Sequence, residues 1–247
     1  MAPPEVVSTH AFPQVPDVVE RPLLYRGPMV VAVLRDVDPK TQTRRGVTRL
    51  AGFGQITDLG LSDTPGYDWH FRDSAMRWHD ITHARLLECC PYGQFKDWLW
   101  VRETHFAWGH WETRYSAAKG RNEWHFVDLT RGSGRDYLYA ADDNMELALP
   151  SRSRGVVQYW KRPAFFMPRI ASRILLEITG VRVERLQDIS VNDSIAEGVT
   201  SQDDPQPGDD TWSPINAYQH LWKSINGAGS WAVNPWVWAV EFRRIRP

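Results

Sequence analysis

The sequence predicts an α+β architecture or a partly open β-barrel, with a few short helices. Two observations carry this reading: strand-like alternation recurs along the chain, and the intervening helical segments are short and never settle into regular β-α alternation. A third is that 42% of the 247 residues are apolar, enough to bury a proper core.

Residues 1–21 read as an irregular arm, punctuated by Pro3, Pro4, Pro13 and Pro16. Leu23-Leu24-Tyr25 suggests a short strand ending at Gly27. The apolar run Met29 to Leu34 fits a buried strand or helix, and Pro28 tips it towards helix because proline suits a first helical turn. Glycines and prolines break the text from Gly46 to Tyr92, apart from a helix expected near Asp73 to Leu87, where Met76, Ile81, Ala84 and Leu87 share a face. Trp98 to Arg102 reads as a strand. Residues 105–160 carry aromatic and histidine clusters, with Tyr137 to Ala140 as their best strand.

The clearest strand text is Arg173 to Leu186, in which Gly180 marks a bulge or bend. Ser190 and Asp193 form a capping box for a short helix that Gly198 ends. Gln202 to Asp210 is acidic and proline-rich, an exposed loop. Ser213-Pro214 opens a better helix whose apolar face carries Tyr218, Leu221, Trp222 and Ile225, with Asn226-Gly227 as its stop. The last strand puts Trp236, Trp238, Val240 and Phe242 on one side.

A net charge of −1 gives no global field for wrapping nucleic acid, although a local basic groove stays possible. Of 29 basic side chains only five are lysines, leaving 24 arginines. Arginine pairs bidentately and stacks, whereas lysine is a point charge whose pKa moves on burial, so any lysine in a motif stands out. Thirteen tryptophans fit either an indole-rich core or a pocket that sandwiches flat ligands. Cys89 and Cys90 are adjacent and poorly placed for a disulfide, which points to a reducing compartment. With no leader and no membrane-length apolar run, a cytoplasmic protein without membrane association is expected.

Phosphate-cradling loops, dinucleotide fingerprints and nucleophile elbows are missing from the text. His79 and His83 stand at i, i+4 before Cys89-Cys90, but no C-x-x-C supports them, and no metal or cofactor is expected. The informative segment is Lys40-Thr41-Gln42-Thr43-Arg44-Arg45. Lysine and threonine at i, i+3 fall on opposite faces of a straight strand, yet can meet where the chain turns. Held together, a desolvated lysine can take a hydroxyl's proton, which suits amide cleavage. A solvated basic turn would carry the same string.

That string, after its apolar run, resembles the signature of the ASCH domain, a PUA-like β-barrel family. Gly93 with Lys96 to Val101, the strand text Arg173 to Leu186 and the closing strand Trp236 to Ile245 follow in the family's order. Arg102-Glu103-Thr104, Met167-Pro168-Arg169 and Ile225-Asn226-Gly227 resemble a larger phage and prophage branch. The resemblance implies one ASCH-like domain over residues 22–247, enlarged by insertions near 49–92, 105–160 and 200–213, in the cytoplasm of a bacterial host.

It also implies chemistry. A small bacterial member, similar at Lys40, Thr43 and a later glutamate, hydrolyses the amide of N(4)-acetylcytidine. The matching glutamate here is Glu197, at a helix C-terminus, where the dipole suits a proton donor. By this likeness Lys40 is the base, and Thr43 supplies a nucleophilic oxygen or positions water. Glu197 protonates the leaving amine or holds the lysine. Arg45 would bind an oxyanion or ribose phosphate. Trp98 or Trp100 would stack on the base, with alternation burying the other. The implied partner is a nucleoside or nucleotide, or a base in RNA or modified DNA. A binding module for RNA or modified bases, or a ribonuclease, is the alternative that the family also implies.

Overall fold

The computed structural model describes residues 18–142, 155–203 and 213–246. In chain order its elements are β1 (Glu20–Leu24), α1 (Gly27–Leu34), β2 (Gln42–Gly46), β3 (Arg49–Leu50), β4 (Gly54–Leu61), β5 (Trp69–Asp73), β6 (Trp78–Ile81) and α2 (His83–Glu88). There follow β7 (Trp98–Arg102), β8 (His105–Ser116), β9 (Arg121–Asp128), β10 (Leu138–Tyr139), β11 (Gln158–Arg162), β12 (Leu175–Arg185), α3 (Val191–Ala196), α4 (Pro214–Asn226) and β13 (Trp236–Ile245). Most of the arm, and most of the acidic loop, lie outside the described residues. Residues 20 and 21, expected in the arm, belong to β1, which pairs in parallel with β7.

The architecture is α+β. Among the described residues three sheets carry the strands, none closed into a barrel: a five-stranded sheet in the order β1-β7-β12-β13-β2, a four-stranded sheet β3-β4-β5-β6, and a four-stranded sheet in which β8 pairs with β9, β10 and β11. The two long stretches read as insertions therefore build sheets of their own. Gly180 sits where the β12–β13 register shifts, beside Ile178.

The helix expected from Asp73 to Leu87 is instead a hairpin followed by a shorter helix. Asp73 Oδ1 accepts from the amides of Ala75 and Arg77, closing a tight turn in which Met76 takes a φ of 64°. A side chain that binds its own downstream amides offers the backbone an alternative to helix. The helix starts only at Thr82, whose hydroxyl caps it by accepting from Arg85 N. His79 thus lies on a strand against Asp73, while His83 accepts from Trp69 Nε1.

Alternation sorts the five-stranded sheet into two faces. Leu99, Val101, Leu176, Ile178, Trp238 and Val240 point into the main core, beneath α1, α2 and the β3–β6 sheet. On the opposite face Val237 packs with Ala217, Tyr218 and Trp222 of α4. Helix α4 begins as read, with Ser213 Oγ accepting from Asn216 N and Pro214 in its first turn. The edge strand β2 is buried on both faces at Gln42, Thr43 and Arg44, and this brings charged groups from the two sides together.

Candidate functional site

Lys40 stands just before β2, where the chain turns back from α1 through Asp38, held at a φ of 46°. Lys40 N donates to Ala32 O, and Thr41 N donates to Ala196 O, so the segment is pinned between α1 and α3. Because Lys40 precedes the strand, its side chain is released from strand alternation. Its ammonium, 1% exposed, donates to Glu197 Oε2 at 2.5 Å and to Glu197 O at 2.7 Å.

Glu197 caps the C-terminus of α3, where Gly198 takes the left-handed φ of 88°. A Cβ on Gly198 would stand 2.9 Å from both Ala32 Cβ and Lys40 Cβ, so glycine is demanded twice there, by conformation and by space. The helix itself forms because Ser190 Oγ accepts from Asp193 N, the capping box read from sequence.

Arg44, whose side chain is fully buried, binds the other carboxylate oxygen, Glu197 Oε1, at 3.3 Å. It also donates through Nε to Glu184 at 2.9 Å, contacts Asp193 at 3.3 Å and bonds Gln42. Arg182 joins Glu184, Asp193 and Glu241 on the same face. Burial works against the Asp193 carboxylate, but hydrogen bonds from Gln42 and Ser190, with the charges of Arg182 and Arg44, pull its pKa down to about 2. Burial lowers the Lys40 pKa, a direction that Glu197 opposes and the charges of Arg45 and Arg44 reinforce.

On the other side of β2, Thr43 and Arg45 face Tyr25. The Arg45 guanidinium stands 5.6 Å from the Tyr25 ring and donates to Leu24 O at 2.7 Å. The Tyr25 hydroxyl lies beside Thr43 without hydrogen-bond geometry. Among the described residues, neither the buried Tyr25 OH nor the buried Arg45 Nε has a hydrogen-bond partner. Burial pushes the Tyr25 phenol far above its ordinary range, so it stays protonated.

Lys40, Thr43, Arg45 and Glu197 all line one cavity of about 410 Å³, whose walls also include Tyr25, Met29, Tyr218 and Trp222. Trp98 and Trp100 do not line it. Being two apart on a strand, they share a face, and both are buried in a separate cluster with Leu175. Alternation therefore buries the two together rather than one of them. The residues that sequence reasoning passed over are Tyr25, Arg44 and Tyr218. Arg44 lies inside the motif string, and Tyr218 on the apolar face already read for α4.

Compared with protein-family models, with curated proteins and with solved structures, the chain matches none. No helix among the described residues is long and apolar enough to cross a membrane.

Proposed function

We propose that this chain is an amidohydrolase acting on N-acylated cytidine-type nucleosides or related modified nucleotides, built as an enlarged ASCH-like variant of the PUA-like plan. The reaction adds water across the exocyclic N–C bond: the carbonyl carbon gains the oxygen, the nitrogen gains a proton, and a free acid and an amine leave. Lys40 is the base, taking a proton from Thr43 or from a water that Thr43 positions. Glu197, in direct contact with the Lys40 ammonium, receives that proton and returns it to the departing amine. Arg45 and Tyr25 supply donors for the substrate's oxygens.

The observation that carries the reading is the buried Lys40–Glu197 pair on the wall of a cavity that also holds Thr43. A lysine whose pKa burial has lowered gives up its proton more readily than one in water. The unpartnered Tyr25 OH and Arg45 Nε support a polar ligand, since buried donors are ordinarily satisfied.

The test is turnover of N(4)-acetylcytidine and its deoxy analogue, following release of the free nucleoside. Wild type should hydrolyse at least one. Lys40→Ala and Thr43→Ala should each lower kcat/KM by about 10²- to 10⁴-fold, the usual reach of acid-base catalysis. An absence of turnover on any acylated nucleoside, together with salt-sensitive RNA binding, would assign the binding role instead.

A further inference from the structure

The β8–β9–β11 sheet carries a second cavity, of about 670 Å³, lined by Trp111, Trp124, Phe126, Trp160, Arg162 and Phe166 among others. Register and alternation put most of these on one face. Trp111 pairs directly with Phe126, Trp124 lies two residues earlier on β9, and Trp160 pairs with Ala107. Trp111 and Trp160 form a buried floor, their ring centroids 6.3 Å apart, while Trp124 is 43% and Phe166 57% exposed.

The floor is held closely. Trp160 Nε1 donates to Gly109 O at 3.0 Å, and a Cβ on Gly109 would fall 2.0 Å from Val127 O, so only glycine lets β9 approach there. The Arg162 guanidinium stands 4.8 Å from the Trp111 ring, 4.5 Å from Phe126 and 4.8 Å from Phe166. Lys161 and His125, both exposed, also line the cavity.

This cavity adjoins the Lys40 cavity: Thr104 lines both, and the neighbours Pro163 and Ala164 line one each. Rings on a sheet face, interleaved with cations, are how proteins hold unpaired bases. We infer that this face stacks the nucleotide adjacent to the one whose base enters the Lys40 cavity, so that the ligand is a short single strand of nucleic acid. The inference rests on the proposed function for the neighbouring cavity. A net charge of −1 fits a footprint of a few nucleotides rather than a long track.

The test uses the full chain and fluorescein-labelled single-stranded hexamers, ribo and deoxy, each with one central N(4)-acetylcytosine, read by anisotropy. Free N(4)-acetylcytidine turnover is followed in parallel. Trp124→Ala and Phe166→Ala, both at exposed positions, should weaken hexamer binding about 5- to 150-fold, the range for one lost stack, and leave turnover of the free nucleoside unchanged. The two sugar arms decide whether RNA or DNA is bound. Wild type that binds neither hexamer, or variants that bind as wild type does, overturn the inference even where the nucleoside is hydrolysed. Should no nucleoside be hydrolysed while hexamer binding falls in both variants, the stacking face stands and the amidohydrolase reading fails.

Discussion

Replacing Glu197 by glutamine keeps the shape of the side chain and removes one charge from a buried pair. Lys40 then loses its charged partner, because the main-chain oxygen at 197 and a glutamine amide oxygen are neutral acceptors where the carboxylate stood at 2.5 Å. Breaking a buried ion pair in this way costs about 3–5 kcal/mol. The lysine has an escape, which is to give up its proton on folding. From its ordinary value of 10.5 to pH 7 that step costs about 5 kcal/mol, at about 1.36 kcal/mol per pH unit, and it caps the loss. The sign follows: with the native lysine neutral and the unfolded one charged, the unfolded state binds more protons, so the variant gains stability as pH rises towards 10.5. At pH 9.5 the cap has shrunk to about 1.4 kcal/mol. Lys40→Met should be milder at pH 7, about 1–3 kcal/mol, because Glu197 keeps Arg44 at 3.3 Å. Urea unfolding of both variants at the two pH values measures this. A Glu197→Gln variant as stable as wild type at pH 7, or equally weakened at both pH values, would refute a charged Lys40 held by Glu197.

Three more outcomes are expected. The pH profile of kcat/KM should rise along a limb belonging to Lys40 that lies below 10.5, because burial lowers that amine; in Glu197→Gln, with the group that raises it removed, the limb should move to lower pH in any residual activity. Gly198→Ala should destabilise by about 1–3 kcal/mol and lower turnover, since the added methyl presses on Lys40 and Ala32, as thermal melts and kinetics would show. Trp98→Ala should lose about 3–5 kcal/mol of stability in urea while the kcat/KM of the folded fraction stays put, because Trp98 packs on Leu175 and away from the cavity.

Some of this was legible from residue text because the physics is local. The Ser190 box, Pro214 with its Gly227 stop, and the bend at Gly180 are each written within a few residues. The stretch from Asp73 to Leu87 misled because four apolar residues happen to fall near one helical face, while the decisive bond, Asp73 to the amides after it, belongs to a turn. The long β8–β9 hairpin was missed for a different reason. Aromatic and polar residues mix along it, and what makes it a sheet is the register of Gly109 through Ser116 against Arg121 through Asp128, which neither strand's own pattern spells out. Lys40 and Thr43 stood out in the text. That Lys40 meets Glu197, 157 positions away, and that Thr43 lines the same cavity, depends on tertiary contacts that spacing cannot express.

The position of β2 explains why those contacts arise there. As the last strand of its sheet it has neighbours on both faces and a free edge, so Gln42 and Arg44 turn towards α3 while Thr43 and Arg45 turn towards β1. Among the described residues eleven polar or charged side chains are buried, and five of them, Lys40, Gln42, Thr43, Arg44 and Glu197, gather at this edge. Apolar packing of equal volume would be as stable or more so, since buried charges lose hydration that their pairing only partly returns. A fold that gathers nearly half of its buried polar side chains beside one cavity has given up stability in that place. Ion pairing alone does not account for the buried Tyr25 hydroxyl and Arg45 Nε left without partners on that same cavity wall. The polar ligand proposed for that cavity would account for both the charges and the unfilled donors.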